Sequence, residues 1–151
     1  KFNFPAIRYP EKNATTEFHV KLDTNVFILK LFPGIGENVI RAVLETKGLK
    51  GLVLETFGAG NAPSETWFLD MIKDAVMRDI VVVNVTQCAE GGVEMGMYET
   101  GKSLNKIGIV SGYDTTTEAA ITKMMYLFGR YQQKEDVING FTKSLRGEIS
   151  I

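Results

Sequence analysis

The stretch Ile80-Val-Val-Val-Asn-Val85 constrains the fold more than any other part of the chain. A nearly unbroken run of β-branched residues this short describes a strand buried on both faces, the position of an interior strand in a parallel sheet. Two further short apolar runs, residues 51–57 and 107–110, flank it in sequence. Helical stripes fill the gaps. Val39, Ile40, Val43 and Leu44 predict a helix over residues 36–46, and Phe68, Met71, Ile72 and Ala75 line the face of another. Pro63 suits that helix's first turn, with Asn61 or Ser64 as its cap. A third helix is expected over residues 98–105. A fourth opens at Asp114, with Thr115 and Glu118 as a capping box and Ile121, Met124, Met125 and Phe128 facing inward. A last one is expected over residues 134–145, burying Ile138, Phe141 and Leu145. Strand and helix in alternation predict an α/β fold of three layers: a Rossmann-like, mostly parallel sheet with helices on both faces.

Upstream, Phe18, Val20 and Leu22 alternate with polar residues, and the apolar run of residues 25–32 follows. Both are expected as strands, forming either a hairpin or successive members of the sheet. Residues 1–16, with Pro5 and Pro10, read as a linker or arm, leaving residues 17–151 as one domain. The full 151 residues are enough to bury roughly 70% of the unfolded surface. Seventeen basic and eighteen acidic side chains give a net charge of −1, which supplies no field for nucleic acid or an anionic membrane surface. No apolar run approaches the roughly 20 residues of a membrane span. Cys88 is the single cysteine and has no intrachain partner, which fits a reducing compartment. The chain starts at Lys1 without an initiator methionine, as a piece of a longer protein would.

In open parallel sheets, ligands sit where the strands' carboxyl ends, their loops and the helix N-termini converge. Three loops are expected at one edge, residues 58–64, 86–92 and 111–116. They carry Asn61, Ser64, Thr86, Gln87, Cys88, Glu90, Ser111 and Asp114, a polar set suited to a small amide or amino acid. The Gly58-Ala-Gly-Asn61 run lacks the spacing of a dinucleotide fingerprint, so a purely structural turn is an equal reading. Cys88, with no basic neighbour in sequence, reads as an inert, part-buried thiol, and His19 as a surface or core histidine rather than a base. Met71, Met77, Met124 and Met125 read as core filler, and Glu90, Glu94 and Glu99 as a solvated acidic loop. No histidine triad, metal-ligand spacing or P-loop is present in the sequence.

Three ordered blocks carry a resemblance. Leu52-Val-Leu-Glu-Thr-Phe-Gly-Ala-Gly-Asn-Ala-Pro63 resembles the strand and loop of L-asparaginase C-terminal domains. Val83-Asn-Val-Thr-Gln-Cys88 with Gly91, Gly96-Met-Tyr98 and Gly101 resembles the next block of the type I, cytoplasmic branch. Gly112-Tyr-Asp-Thr-Thr-Thr-Glu-Ala119 with Thr122-Lys-Met-Met-Tyr-Leu127 resembles the third, so the likeness runs from about Phe18 to Phe128.

The resemblance implies the C-terminal domain of a cytoplasmic amidohydrolase that converts L-asparagine to L-aspartate and ammonia without a cofactor. The family's catalytic threonines lie in an N-terminal domain, and neither a Thr-Gly-Gly-Thr nor a Thr-Asp-Thr segment occurs here. The fragment alone is therefore expected to be inactive, its partners being that catalytic domain and further copies in a homo-oligomer. Asn61 matches the asparagine of the family's Gly-x-Gly-Asn loop, which implies contact with substrate in the neighbouring subunit's active site. Glu99 lies near the position of an acid that related enzymes bring to the same place. Glu55 and Cys88 fall where some members bind asparagine as an effector, although several bacterial members have arginine at the Glu55 position. Two other readings fit the same residues: a subunit of a tRNA-dependent amidotransferase, or a stand-alone amino-acid-binding module.

Overall fold

The computed structural model describes residues 7, 9, 15–95 and 99–150, except for the side chains of residues 99 and 100. Most of the expected arm over residues 1–16 therefore lies outside the described residues. The elements alternate as β1 (Val26–Lys30), α1 (Glu37–Leu44), β2 (Gly51–Thr56), α2 (Thr66–Met77), β3 (Val81–Thr86), α3 (Glu99–Ile107), β4 (Val110–Ser111), α4 (Thr117–Arg130) and α5 (Lys134–Phe141). The strands form one parallel sheet in the order β1-β2-β3-β4.

Strand alternation sorts the apolar side chains into two cores. Leu52, Leu54 and Val82 pack with Ile40 and Leu44 of α1, Phe68, Ile72 and Ala75 of α2, and Leu104 of α3. Val53, Val81, Val83 and Val85 pack on the opposite face with Met124, Leu127 and Phe128 of α4 and Val137 and Phe141 of α5. β2 and β3 are covered on both sides, which is why their sequences are almost continuously apolar. β1 is an edge strand, and it leaves Phe27 and Ile28 exposed.

Several expectations are corrected. Phe18, Val20 and Leu22 join no strand and are exposed. This segment lies across α4 instead: the Asp23 N–H donates to the Met125 carbonyl at 3.0 Å. A Cβ at Gly129 would stand 2.1 Å from the Lys21 carbonyl oxygen, so only glycine admits the crossing. The alternation does not mark a strand here. Residue 107 ends α3, and the fourth strand is reduced to Val110–Ser111 after a left-handed turn at Gly108 (φ 97°).

The α4 cap is Thr116, whose hydroxyl accepts from the Ala119 N–H, whereas Thr115 is buried and donates to the Glu148 carbonyl at 3.2 Å. α2 starts two residues after Ser64, with Glu65 as its N-cap, so Pro63 belongs to the loop. α5 stops at Phe141 because the Glu148 carboxylate takes the N–H groups of Leu145 and Arg146, turning that stretch away from a helix. Val137 and Phe141 are its buried residues, while Ile138 and Leu145 are only half-buried. Met124 is core, but Met77 is 66% exposed.

Candidate functional site

The carboxyl ends of β2, β3 and β4 carry the three expected loops, and backbone hydrogen bonds tie them into one surface. In the first loop, the Phe57 N–H donates to the Asn61 carbonyl at 2.8 Å, and the Asn61 N–H returns a bond to the Phe57 carbonyl at 2.7 Å. Gly60 makes this tight return with φ 107°, in the left-handed region. The second loop is pinned on it. The Glu94 N–H donates to the Ala59 carbonyl at 3.0 Å, and the Thr86 hydroxyl donates to the Gly58 carbonyl. The third loop closes on the second: the Val93 N–H donates to the Tyr113 carbonyl at 2.8 Å, and the Ser111 hydroxyl donates to the Val93 carbonyl at 3.2 Å. Tyr113 itself has φ 54°, a strained value for a side chain of its size.

The predicted residues distribute unevenly over this edge. Asn61 is half-buried in the first loop, where the Thr86 hydroxyl bonds Gly58. Gln87 works structurally: its Nε2 donates to the Leu31 carbonyl at 2.6 Å and the Glu55 carbonyl at 3.0 Å, joining three strand ends. Ser64, Glu90 and Glu94 are exposed. Asp114 accepts from the Ser150 N–H at 2.9 Å, and hydrogen bonds from Ser150, side chain and then backbone, hold its carboxyl below the ordinary range.

Glu55 belongs to the other face of the sheet. Its side chain is 12% exposed, receives the Thr117 hydroxyl from the first turn of α4, and lies 3.6 Å from Lys30 Nζ. A carboxylate there also faces the positive end of that helix. Cys88 is exposed rather than part-buried, because it has already left the sheet; its N–H donates to the Thr86 hydroxyl at 3.0 Å. Glu99 opens α3, and its side chain lies outside the described residues. His19 is exposed on the segment that crosses α4, 3.2 Å from Glu17 and edge-on to Tyr126.

Two buried polar residues under the first loop escaped the sequence reading. Thr56 and Asn84 are fully buried, and the Thr56 hydroxyl donates to Asn84 Oδ1 at 2.6 Å. Asn84 Nδ2 then donates to the Gly60 carbonyl at 3.3 Å. The available signal was Asn84 itself, the one amide interrupting the apolar run of residues 80–85.

An α/β domain with this sheet and this edge matches a described family. The model of the Glutaminase/Asparaginase C-terminal domain covers residues 25–141, and the chain belongs to that family. L-asparaginase 1 of Escherichia coli (strain K12) is 40% identical over 123 residues, covering 82% of this chain and 36% of its own length. The 60 kDa lysophospholipase of Homo sapiens is 37% identical over 149 residues, covering 98% of this chain and 26% of its own. Among solved structures, L-asparaginase I from Vibrio cholerae superposes with a TM-score of 0.86 at 36% identity, over 94% of this chain and 42% of that one. The chain thus spans about a third of the length of the bacterial curated relative. Among the described residues, no helix is long and apolar enough to cross a membrane.

Proposed function

We propose that this domain serves an enzyme hydrolysing L-asparagine to L-aspartate and ammonia, and that its carboxyl edge supplies Asn61 to the substrate site. The observation that carries the reading is the Phe57–Asn61 return, which the second loop and Asn84 hold in one position at the strand ends. A side-chain amide both donates and accepts, so Asn61 suits the α-amino and α-carboxylate groups of an amino acid. The chemical step needs a hydroxyl nucleophile that attacks the side-chain amide, expels ammonia and leaves an acyl-enzyme for water to cleave. In this reading that threonine comes from a preceding catalytic domain, and the edge meets the active site of a neighbouring subunit in a homo-oligomer. Glu99 is proposed for the same site on the resemblance alone. Glu55 and Cys88 are proposed for an effector site, where a ligand ammonium would have to displace Lys30 from Glu55. A cytoplasmic location follows from the same likeness to the type I branch.

The test is ammonia release from L-asparagine by the full-length protein and by this domain alone. The full-length protein is expected to turn over and the isolated domain to be silent. Asn61→Ala is expected to lower kcat/KM by about ten- to hundredfold without changing Tm. Release by the isolated domain, or unchanged kinetics in Asn61→Ala, overturns the assignment. Lysophospholipid cleavage without asparagine turnover would assign it to the activity for which the human relative is named.

A further inference from the structure

We propose that Asn84 is a positioning residue for the Asn61 loop, acting through the carbonyl of Gly60. The inference rests on the asparaginase reading only for what Asn61 then touches. Asn84 sits fully buried between Val83 and Val85 on β3, where an amide is costly unless its polar groups are paired. A valine or leucine would serve the sheet there at lower cost. What the amide adds is a link from β3 to the loop after β2, which the backbone ladder does not make. Its Oδ1 accepts the Thr56 hydroxyl at 2.6 Å, and its Nδ2 donates to the Gly60 carbonyl at 3.3 Å. Its own carbonyl accepts the Gly112 N–H at 2.7 Å, so β3 meets the first and third loops at this one residue.

The geometry of the loop makes that bond directive. The Gly60 carbonyl and the Asn61 N–H belong to the same planar peptide unit. Asn84 holds one end of that plane, and the Phe57 carbonyl holds the other at 2.7 Å. With that plane held and the Asn61 carbonyl accepting the Phe57 N–H at 2.8 Å, the backbone on both sides of the Asn61 Cα is held, and with it the direction in which the side chain leaves. There is no slack to absorb an error. A Cβ at Gly60 would lie 2.8 Å from Val93 Cγ1 and 3.2 Å from Asn84 Nδ2, so the loop rests directly on the amide. The Gly60 carbonyl can only accept, so it takes Nδ2 and leaves Oδ1 facing the Thr56 hydroxyl, whose bond then holds the amide in that orientation.

The experiment uses the full-length protein and the variants Asn84→Leu, Thr56→Val, Thr56→Ser and Asn61→Ala. Asn84→Leu frees the Gly60 carbonyl while leaving Thr56 an acceptor in the Val85 carbonyl at 3.2 Å. It is expected to lower kcat/KM by about ten- to hundredfold, as a misplaced contact does. Combined with Asn61→Ala it should cost little beyond Asn61→Ala alone, because both act through one side chain. Thr56→Val should reproduce part of the loss and Thr56→Ser should restore it, which also covers an Asn84→Leu protein that fails to fold. Losses that multiply in the double variant, or a change confined to Tm, overturn the proposal. If the wild-type protein does not turn over asparagine, the functional reading fails by itself. Hydrogen exchange at the Asn61 amide then decides the positioning role: faster exchange in Asn84→Leu supports it, and unchanged exchange ends it.

Discussion

The ammonium of Lys123 lies 2.6 Å from Glu148 Oε1 and 2.6 Å from the Lys143 carbonyl, with only 4% of the lysine side chain exposed. The Phe141 ring stands 4.9 Å from the same nitrogen. One cation on α4 therefore gathers the end of α5 and the segment that follows it. Removing one member of such a pair leaves the other charge buried without its counterion, which is the costly case.

Lys123→Met is accordingly expected to destabilise the fold by about 3 kcal/mol, as read from the urea midpoint. Glu148→Gln should cost less, because the amide oxygen introduced there can still accept from both the Lys123 ammonium and the Leu145 N–H, and the ammonium keeps the Lys143 carbonyl. Equal stability of Lys123→Met and wild type would show that the segment holds without the pair.

A pH dependence follows from Glu148. Burial, the largest single influence, pushes its carboxyl upward, but the Leu145 amide, the Lys123 ammonium and the Arg146 amide together bring it down from 4.5 to about 2. A carboxylate with a lower pKa folded than unfolded contributes its full stabilisation above the unfolded value and loses it on acidification. Tm is therefore expected to fall as pH drops from 4.5 toward about 2, and to fall less steeply in Glu148→Gln. Parallel curves for the two proteins would remove Glu148 as the source.

Gly129 is the crossing point of the N-terminal segment over α4, with no room for a methyl group beside the Lys21 carbonyl. Gly129→Ala should lift that segment, costing about 1–3 kcal/mol and exposing residues 18–22 to protease. Cleavage at the wild-type rate with unchanged Tm would refute the close crossing.

In the full-length protein, the proposed effector role for Glu55 and Cys88 predicts a sigmoidal dependence of rate on asparagine, made hyperbolic by Cys88→Ser. The coupling lost should be about 1–3 kcal/mol. A hyperbolic wild-type curve would withdraw both residues from any regulatory site.

The layered fold was legible because its interior strands carry their burial in composition. Residues 80–85 are apolar on both faces, and the buried stripes of α1, α2 and α4 recur at helical spacing. Edges were harder. Phe18, Val20 and Leu22 alternate with polar residues, yet period two says nothing about whether a ladder or a helix lies beside the chain. The choice between Thr115 and Thr116 as cap depended on Glu148, a residue distant in sequence that captures Thr115. The loop carrying Asn61 was visible from its glycines, but its support was not: Thr56 and Asn84 meet only when β2 and β3 pair in register. Likewise, Glu55 and Cys88 are close to neighbouring strand ends in sequence, while side-chain direction sends Glu55 toward α4.

The order β1-β2-β3-β4 has a further consequence. Each new strand is added on the same side of the last, and α1, α2 and α3 all pack into one core on one face. Ligand crevices in open α/β sheets form where the winding reverses and adjacent connections part to opposite faces. Among the described residues the winding does not reverse, so the sheet opens no such crevice. In the proposed function its rim offers one wall to the small molecule, and a second folded body brings the opposing wall.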